Sequence, residues 1–574
     1  MKRRFWHIGV LLVLLLSSGN YTLNGQLQFP GEPLGITDNL KAAEVIYLLP
    51  PPDPMEIEAE MELNRMSHSK PLRFALVRPV NLSPETHGSW SLEGDIRVWR
   101  VHVLSPGAYS LGLLFGNYDL MPGVKLFVYD PAQQQVKGAF TSGNNKRSGI
   151  LPVGQIPGEE LLIELQVPAG MAGYGELELQ SLSHAFLDTG FKSSTNGCPA
   201  GEFGCSDACE IDVNCLEGDD WWRVKPSVVR IFIQKTTISE YCTGVLVNNS
   251  AYDGTPYILT AEHCINKQVQ ADQSVFLFNY ESAECFGENG PLDMSLEGAE
   301  LITHGDSIDF SLVKLVHTPP ASYGVYYAGW DRSDFQTSST TTIHHPYGDV
   351  KKISFDDDEA PSIPAQPGDV PYSGLDDYHY YSYWWIRQWE VGSTEGGSSG
   401  CPLFNQARRV IGTLSGGNAA CGDSIGYNAE TDRVIYNLAP NYDDYFTQFG
   451  MAWDHEEGKG NALKPWLDPI GDNPETLSGY NPTSTESIKI VTGKHFQVFP
   501  NPAQDLFYIT SKEPLQGQGY YTIVNLSGAL LKRGQLDGEG RAEIQTTTLP
   551  PGLYIISVGV DGYQEHHKLL VSDQ

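Results

Sequence analysis

From Pro71 to its C-terminus the chain is written in short runs of alternating apolar and polar residues, each stopped by a turn of Gly, Pro or Asn. Arg97-Val98-Trp99-Arg100-Val101-His102-Val103, Val124-Lys125-Leu126-Phe127-Val128-Tyr129 and Leu553-Tyr554-Ile555-Ile556-Ser557-Val558 are examples. Side chains on a strand alternate between two faces, so such runs specify strands that pack one face and hydrate the other. The 59 Gly, 37 Pro and 29 Tyr, with 40% hydrophobic residues, fit an ordered, turn-rich, mainly β chain. Its 574 residues suffice for three or four separate cores.

Breaks in the alternation divide the chain. Lys2, Arg3 and Arg4 precede the apolar run Ile8 to Leu16 and small residues up to Gly25, the pattern of a secretory signal peptide over 1–25. That run is too short to span a bilayer and no other stretch is long enough, so no membrane span is expected in the mature form. Residues 26–70 are a Pro-rich leader segment, interrupted at Pro50-Pro51-Pro52, to which sequence assigns no fold. A β-sandwich pre-domain is expected over 71–188, a linker over 189–207, a strand-and-turn domain over 208–476, a Ser/Thr/Pro/Gly-rich linker over 477–494 and a small β-domain over 495–574.

A formal net charge of -33 argues against a nucleic-acid partner, which requires Lys and Arg to neutralise phosphates. Nine cysteines fall between Cys198 and Cys421, and an exported chain uses cysteine chiefly for disulfides. Their spacing contains no zinc-binding pattern; no metal and no cofactor is expected. Asp356-Asp357-Asp358-Glu359 lacks the Gly turn and terminal Glu of a calcium loop and is read as a solvated acidic loop.

Three segments carry the parts that a nucleophilic serine requires. Tyr257-Ile258-Leu259-Thr260-Ala261-Glu262-His263-Cys264 ends a buried strand in a small-residue turn that presents His263. Ser307-Ile308-Asp309-Phe310-Ser311-Leu312 sets the Asp309 carboxylate at the mouth of an apolar strand, where only a partnered charge is tolerable. Gly396-Gly397-Ser398-Ser399-Gly400-Cys401-Pro402 is a turn whose flexible backbone can aim the amides of Gly397 and Ser399 at one oxyanion. The alternative, an α/β-hydrolase elbow with Ser398 as nucleophile and His455 as base, needs a helix after the turn, whereas Pro402 and a β-run come next.

With these motifs in the order His, Asp, Ser, the segment resembles the lysyl endopeptidase branch of chymotrypsin-fold proteases. Cys209-Glu210-Ile211-Asp212-Val213-Asn214-Cys215, Cys242-Thr243-Gly244-Val245-Leu246, Ala328-Gly329-Trp330-Asp331 and Ile343-His344-His345-Pro346 carry the likeness. It implies a chymotrypsin-like double β-barrel between an N-terminal and a small C-terminal β-sandwich, with the disulfides Cys209–Cys421, Cys215–Cys285 and Cys242–Cys264. Cys198 and Cys205 are a plausible further pair, and Cys401 is read as a buried small filler. The C-terminal segment resembles type A sorting domains of the type IX secretion system through Val498-Phe499-Pro500-Asn501-Pro502-Ala503 and Leu549-Pro550-Pro551-Gly552-Leu553-Tyr554. That likeness implies a Gram-negative, Bacteroidota-type source, export through the periplasm to the surface or medium, and the secretion machinery as a partner.

The implied activity is a serine endopeptidase, made as a zymogen, that acts on proteins or peptides; the rival reading is a surface adhesin on a protease scaffold. The specificity-pocket candidates are Ser393, Ser415, Gly416 and Ala429. Lysyl members carry an Asp four residues before an Arg-Val pair, and an ungapped count from Arg433-Val434 sets Ala429 there. Ser415 stands where those members carry His. A neutral pocket rejects lysine, whereas Glu430 or Asp432 in its place restores a basic preference, so the residue accepted before the scissile bond stays open.

Overall fold

The computed structural model describes residues 29–37, 46–66, 71–132, 134–188, 206–285, 287, 289–334, 337–363, 382–422, 424–428, 433–436, 443–482, 496–512, 519–525, 530–537, 540–546, 549–560 and 563–572. The chain is mainly β, as the alternation requires, and forms two compact units, 1–479 and 480–574. The signal-peptide segment, Cys198 and Cys205 lie outside the described residues.

The N-terminal part of the first unit is two facing sheets. One orders the strands Ile46–Leu48, Ile96–Leu104, Glu160–Pro168, Lys125–Tyr129 and Val136–Phe140, with Ser89–Glu93 added on Ile96–Leu104. The other orders Leu72–Leu82, Gly175–Ala185, Ser110–Leu120 and Leu151–Pro157. Trp99, Val101 and Ile163 of the first meet Leu113, Phe115 and Leu182 of the second in one closed core. The leader is more ordered than its composition implies: Pro54–Met66 is an α-helix. Asp53 receives the Met55 amide at 2.9 Å and Pro54 takes the first helical position, a start signal hidden by the prolines before it.

The second of these sheets does not end with the N-terminal strands. Leu72–Leu82 pairs antiparallel with Ile238–Val247, so the sheet runs on into Val228–Gln234, Ser274–Phe278 and Ser295–Glu297. Tyr257–Thr260, Phe310–Leu315 and Ala299–Gly305 complete this side of the 208–476 segment. A nine-stranded sheet makes its other side, along the path Ile211–Asp212, Lys352–Asp356, Thr340–His344, Pro402–Asn405, Val410–Gly417, Trp330–Asp331 and Thr476–Leu477. Asp444–Gln448 pairs with Val410–Gly417 and carries Tyr383–Ile386 on its far edge. Val245, Leu259 and Phe310 from one side and Trp330, Ile343 and Phe404 from the other share a single core, which fixes the seam between them.

The second unit has a three-stranded and a four-stranded sheet. Phe496, Phe507, Ile523, Ile556, Val558 and Leu569 are buried together in its core.

Candidate functional site

The three sequence segments converge on the seam. His263 follows the Tyr257–Thr260 strand, Asp309 precedes Phe310–Leu315, and Ser399 lies in the turn before Pro402–Asn405. His263 Nε2 is 2.8 Å from Ser399 Oγ, and its Nδ1 is 3.1 and 3.0 Å from the two Asp309 carboxylate oxygens. The His263 amide also donates to Asp309 Oδ1 at 3.0 Å, which fixes the carboxylate relative to the histidine backbone. Asp309 is 1% exposed and takes a left-handed φ of +57°, a strained backbone that turns its side chain toward the imidazole.

The Asp309 turn is held from beneath. Ser415 Oγ is 2.9 Å from Thr447 Oγ1, and that hydroxyl donates to Ile308 O. Ser415, expected in the specificity pocket, thus reaches the carboxylate's support through Thr447.

On the Gly396–Pro402 turn, Gly397 has φ +99°, and a Cβ there would come within 2.8 Å of His345 O, so only glycine fits. Thr243 stitches the loop to the Ile238–Val247 strand: its amide donates to Ser399 O at 2.8 Å and its hydroxyl to Gly397 O at 2.9 Å. The Cys242–Cys264 disulfide ties that strand to the His263 turn. Ser398 does not face the cleft. It is buried, its Oγ lies 2.8 Å from His344 Nδ1 and accepts the Glu395 amide at 3.1 Å. His455 instead lies 3.1 Å from Ser307 Oγ, and a strand follows the turn, so the elbow geometry is absent.

Behind Ser398, His344 Nε2 is 3.2 Å from Ser354 Oγ and 3.5 Å from the buried Glu210, whose carboxyl is pushed well above its ordinary range by burial and by Glu395. Glu210 sits on a braced segment: Cys209 is bonded to Cys421, Cys215 to Cys285, and the Asp207 amide donates to Glu395 Oε1 at 2.9 Å. Sequence reading missed this support, although the paired His344-His345 before Pro346 offered a signal. Cys401 is buried in the core and its sulfur accepts from Thr342 Oγ1 at 3.1 Å.

Ser393 and Ser415–Gly416 are the candidates for a specificity pocket among the described residues. Ser393 is buried, with its carbonyl accepting from Ser354 Oγ at 2.7 Å. Ala429, Glu430 and Asp432 lie outside the described residues, and Arg433-Val434 belongs to a separate hairpin of Ser424–Asn428 with Arg433–Tyr436. The strand alongside Ser415–Gly417 is Asp444–Gln448, with Gly416 opposite Tyr445 and Gly417 opposite Asp444. Arg433–Tyr436 is thus not the strand paired with Ser415–Gly417. Asp444, fully buried, accepts from Thr394 Oγ1 at 2.6 Å and Trp389 Nε1 at 2.8 Å, and a Cβ at Gly417 would meet its Oδ1. This buried carboxylate beside Gly417 was not found from sequence. Its signal was the acidic pair Asp443-Asp444 at the head of an apolar run.

Away from the seam, the acidic run is only partly solvated. Asp356 is buried with Thr340 Oγ1 at 3.1 Å, and burial pushes its carboxyl up to about 7. Asp358 and Glu390 lie beside it.

Residues 203–433 match the family described as lysyl endopeptidase, C-terminal domain, and residues 497–572 match the secretion system C-terminal sorting domain. A lysyl endopeptidase of Pseudomonas aeruginosa is 30% identical over 282 residues, covering 46% of this chain and 57% of that protein. Secreted RxLR effector protein 73 of Plasmopara viticola is 26% identical over 250 residues, 40% of this chain and 54% of that protein. The chain thus spans about half the length of the curated relatives it matches. Among solved structures, the thermostable serine protease AL20 from an extremophilic microorganism is 18% identical, with TM-score 0.25, over 41% of this chain and 96% of that one. Kallikrein-related peptidase 10 is 16% identical, with TM-score 0.24, over 41% of this chain and 97% of that one. The sorting-domain match indicates secretion to the cell surface or the medium. From its motifs, its disulfides and its family and sequence matches, the chain resembles bacterial lysyl endopeptidases over residues 203–433 and carries a C-terminal secretion sorting domain.

Proposed function

We propose that the protein is a secreted serine endopeptidase that cuts polypeptides after a basic residue. The observation that carries the chemistry is the 2.8 Å contact of His263 Nε2 with Ser399 Oγ, with Asp309 closed on the other ring nitrogen. Ser399 attacks the scissile carbonyl while His263 takes its proton and then gives it to the leaving amine. Asp309 holds the imidazole in the tautomer that accepts at Nε2 and balances the imidazolium that forms. The amides of Gly397 and Ser399 receive the oxyanion, and water hydrolyses the acyl-enzyme by the same route in reverse.

Asp444 supports the basic preference. Its carboxylate accepts from Thr394 and Trp389, and the ammonium or guanidinium of a basic substrate side chain is the group that a carboxylate recognises best. A fluorophosphonate probe tests the chemistry: it labels the wild type and not Ser399→Ala, and peptide hydrolysis falls on the order of 10⁶-fold in Ser399→Ala and His263→Ala. An unlabelled wild type, or turnover that survives in Ser399→Ala, refutes the reading and leaves a binding protein on a protease scaffold.

A further inference from the structure

The N-terminal sandwich meets the 208–476 segment a second time, apart from the Leu72–Leu82 pairing. Small residues allow the approach: a Cβ at Gly154 would stand 3.7 Å from Val275, and one at Gly112 would stand 3.4 Å from Phe232. The Lys137 side chain crosses the contact and donates to the Leu292 carbonyl at 2.9 Å. A cavity of about 30 Å³ lies between the two parts, lined by Lys137 and Gln155 of the sandwich and by Arg230, Phe232, Leu277 and Ser295 of the segment. That is room for a single small ion or about two waters.

The lining is unbalanced in charge. Lys137 is 6% exposed and Arg230 is 4% exposed. Arg230 donates to the Gly348 carbonyl and lies over the rings of Tyr241 and Tyr280, 4.7 and 4.1 Å from their centroids. Such rings attract a cation and bring no counter-charge. Among the described residues, no carboxylate comes within 4.0 Å of either cation. Burial pushes the Lys137 ammonium down to about 8, even though Asp293 attracts it from farther off. Gln155 is buried too: its Oε1 accepts from Ser110 Oγ at 2.9 Å, while its Nε2 has no acceptor among the described residues. A buried cation is tolerated when an anion balances it, and a buried donor when an acceptor meets it. Water satisfies an amide; only an anion satisfies the amide and both cations.

We propose that this cavity is a site for one monovalent anion of chloride or bromide size, held by the charges of Lys137 and Arg230 and by the Gln155 amide. Lys137 and Gln155 belong to the sandwich and Arg230 to the segment, so the bound ion clamps one to the other. The site stands independently of the endopeptidase reading.

The test uses the full chain in sodium chloride and in sodium gluconate at equal ionic strength, since gluconate is too large for the cavity. The thermal unfolding midpoint of the wild type rises saturably with chloride, by roughly 3 °C at about a hundredfold excess over half-saturation. Crystals grown in bromide show an anomalous peak between the Lys137 ammonium and the Arg230 guanidinium. Gln155→Glu keeps the side-chain shape and supplies a built-in counter-charge. It raises the midpoint in gluconate and abolishes the gain from chloride, and Lys137→Met also abolishes that gain. Equal wild-type midpoints in the two salts overturn the proposal, and a bromide peak alongside equal midpoints marks an adventitious ion only. A Gln155→Glu chain that is less stable than wild type in gluconate overturns it as well, whether or not Lys137→Met folds.

Discussion

Replacing Asp444 by Asn keeps the shape of the side chain and removes its charge, which makes it the sharpest test of substrate choice. The carboxylate is fully buried and held by Thr394 at 2.6 Å and Trp389 at 2.8 Å. Leaving a buried cation without its counter-charge costs about 3–5 kcal/mol. At about 1.4 kcal/mol per decade this is roughly 10²–10⁴ in kcat/KM, and the amide oxygen that remains favours the lower half. The assay is kcat/KM on paired peptides that differ only in Lys or Leu before the scissile bond. Lys cleavage is expected to fall about 10²–10³-fold while Leu cleavage stays within about threefold, because a neutral side chain has no use for the charge. Asn offers one acceptor where the carboxylate offers several, so a stability loss of about 1–3 kcal/mol is expected and is read separately by urea unfolding. An unchanged Lys-to-Leu ratio refutes the pocket assignment, whatever happens to stability.

The buried Asp356 gives a stability prediction with a definite sign. Its carboxyl is pushed up to about 7 by burial, whereas an unfolded Asp ionises near about 3.9, so between these values the folded chain holds a proton that the unfolded chain has lost, and stability declines as pH rises. Asp356→Asn, which mimics the protonated side chain, therefore stabilises the protein more at pH 8 than at pH 4; a gain independent of pH in urea unfolding contradicts this account. The sorting-domain match predicts that a chain lacking residues 495–574 stays inside the cell, and fractionation that finds it delivered normally refutes that role.

Where a functional group stands in a local motif, the sequence was readable. His263, Asp309 and Ser399 each sit at the end of an apolar strand or in a glycine turn, and the β-run after Pro402 distinguishes this arrangement from the Ser398 elbow. Asp444 was unreadable for a physical reason: it comes beside Gly417 only through the pairing of the Val410–Gly417 and Asp444–Gln448 strands, across an intervening hairpin that a linear reading does not anticipate. His344 and Glu210 were missed because a polar side chain in a strand looks the same in sequence whether it is solvated or buried behind a loop. The N-terminal sandwich was legible from its alternation, but its continuation into the Ile238–Val247 strand was not, since edge pairing depends on backbone groups that every residue shares.

The Cys209–Cys421 bond and the Asp207–Glu395 hydrogen bond both lie on the C-terminal side of the 189–205 stretch that joins the two parts of the first unit. A nick in that stretch frees one end of the N-terminal sandwich and leaves both of these clasps in place. Cutting and release are then separate steps, because the Leu72–Leu82 strand stays paired with Ile238–Val247 after the cut. Size-exclusion chromatography after limited proteolysis distinguishes the two steps, because the nicked fragments co-elute until the 72–82 strand is displaced.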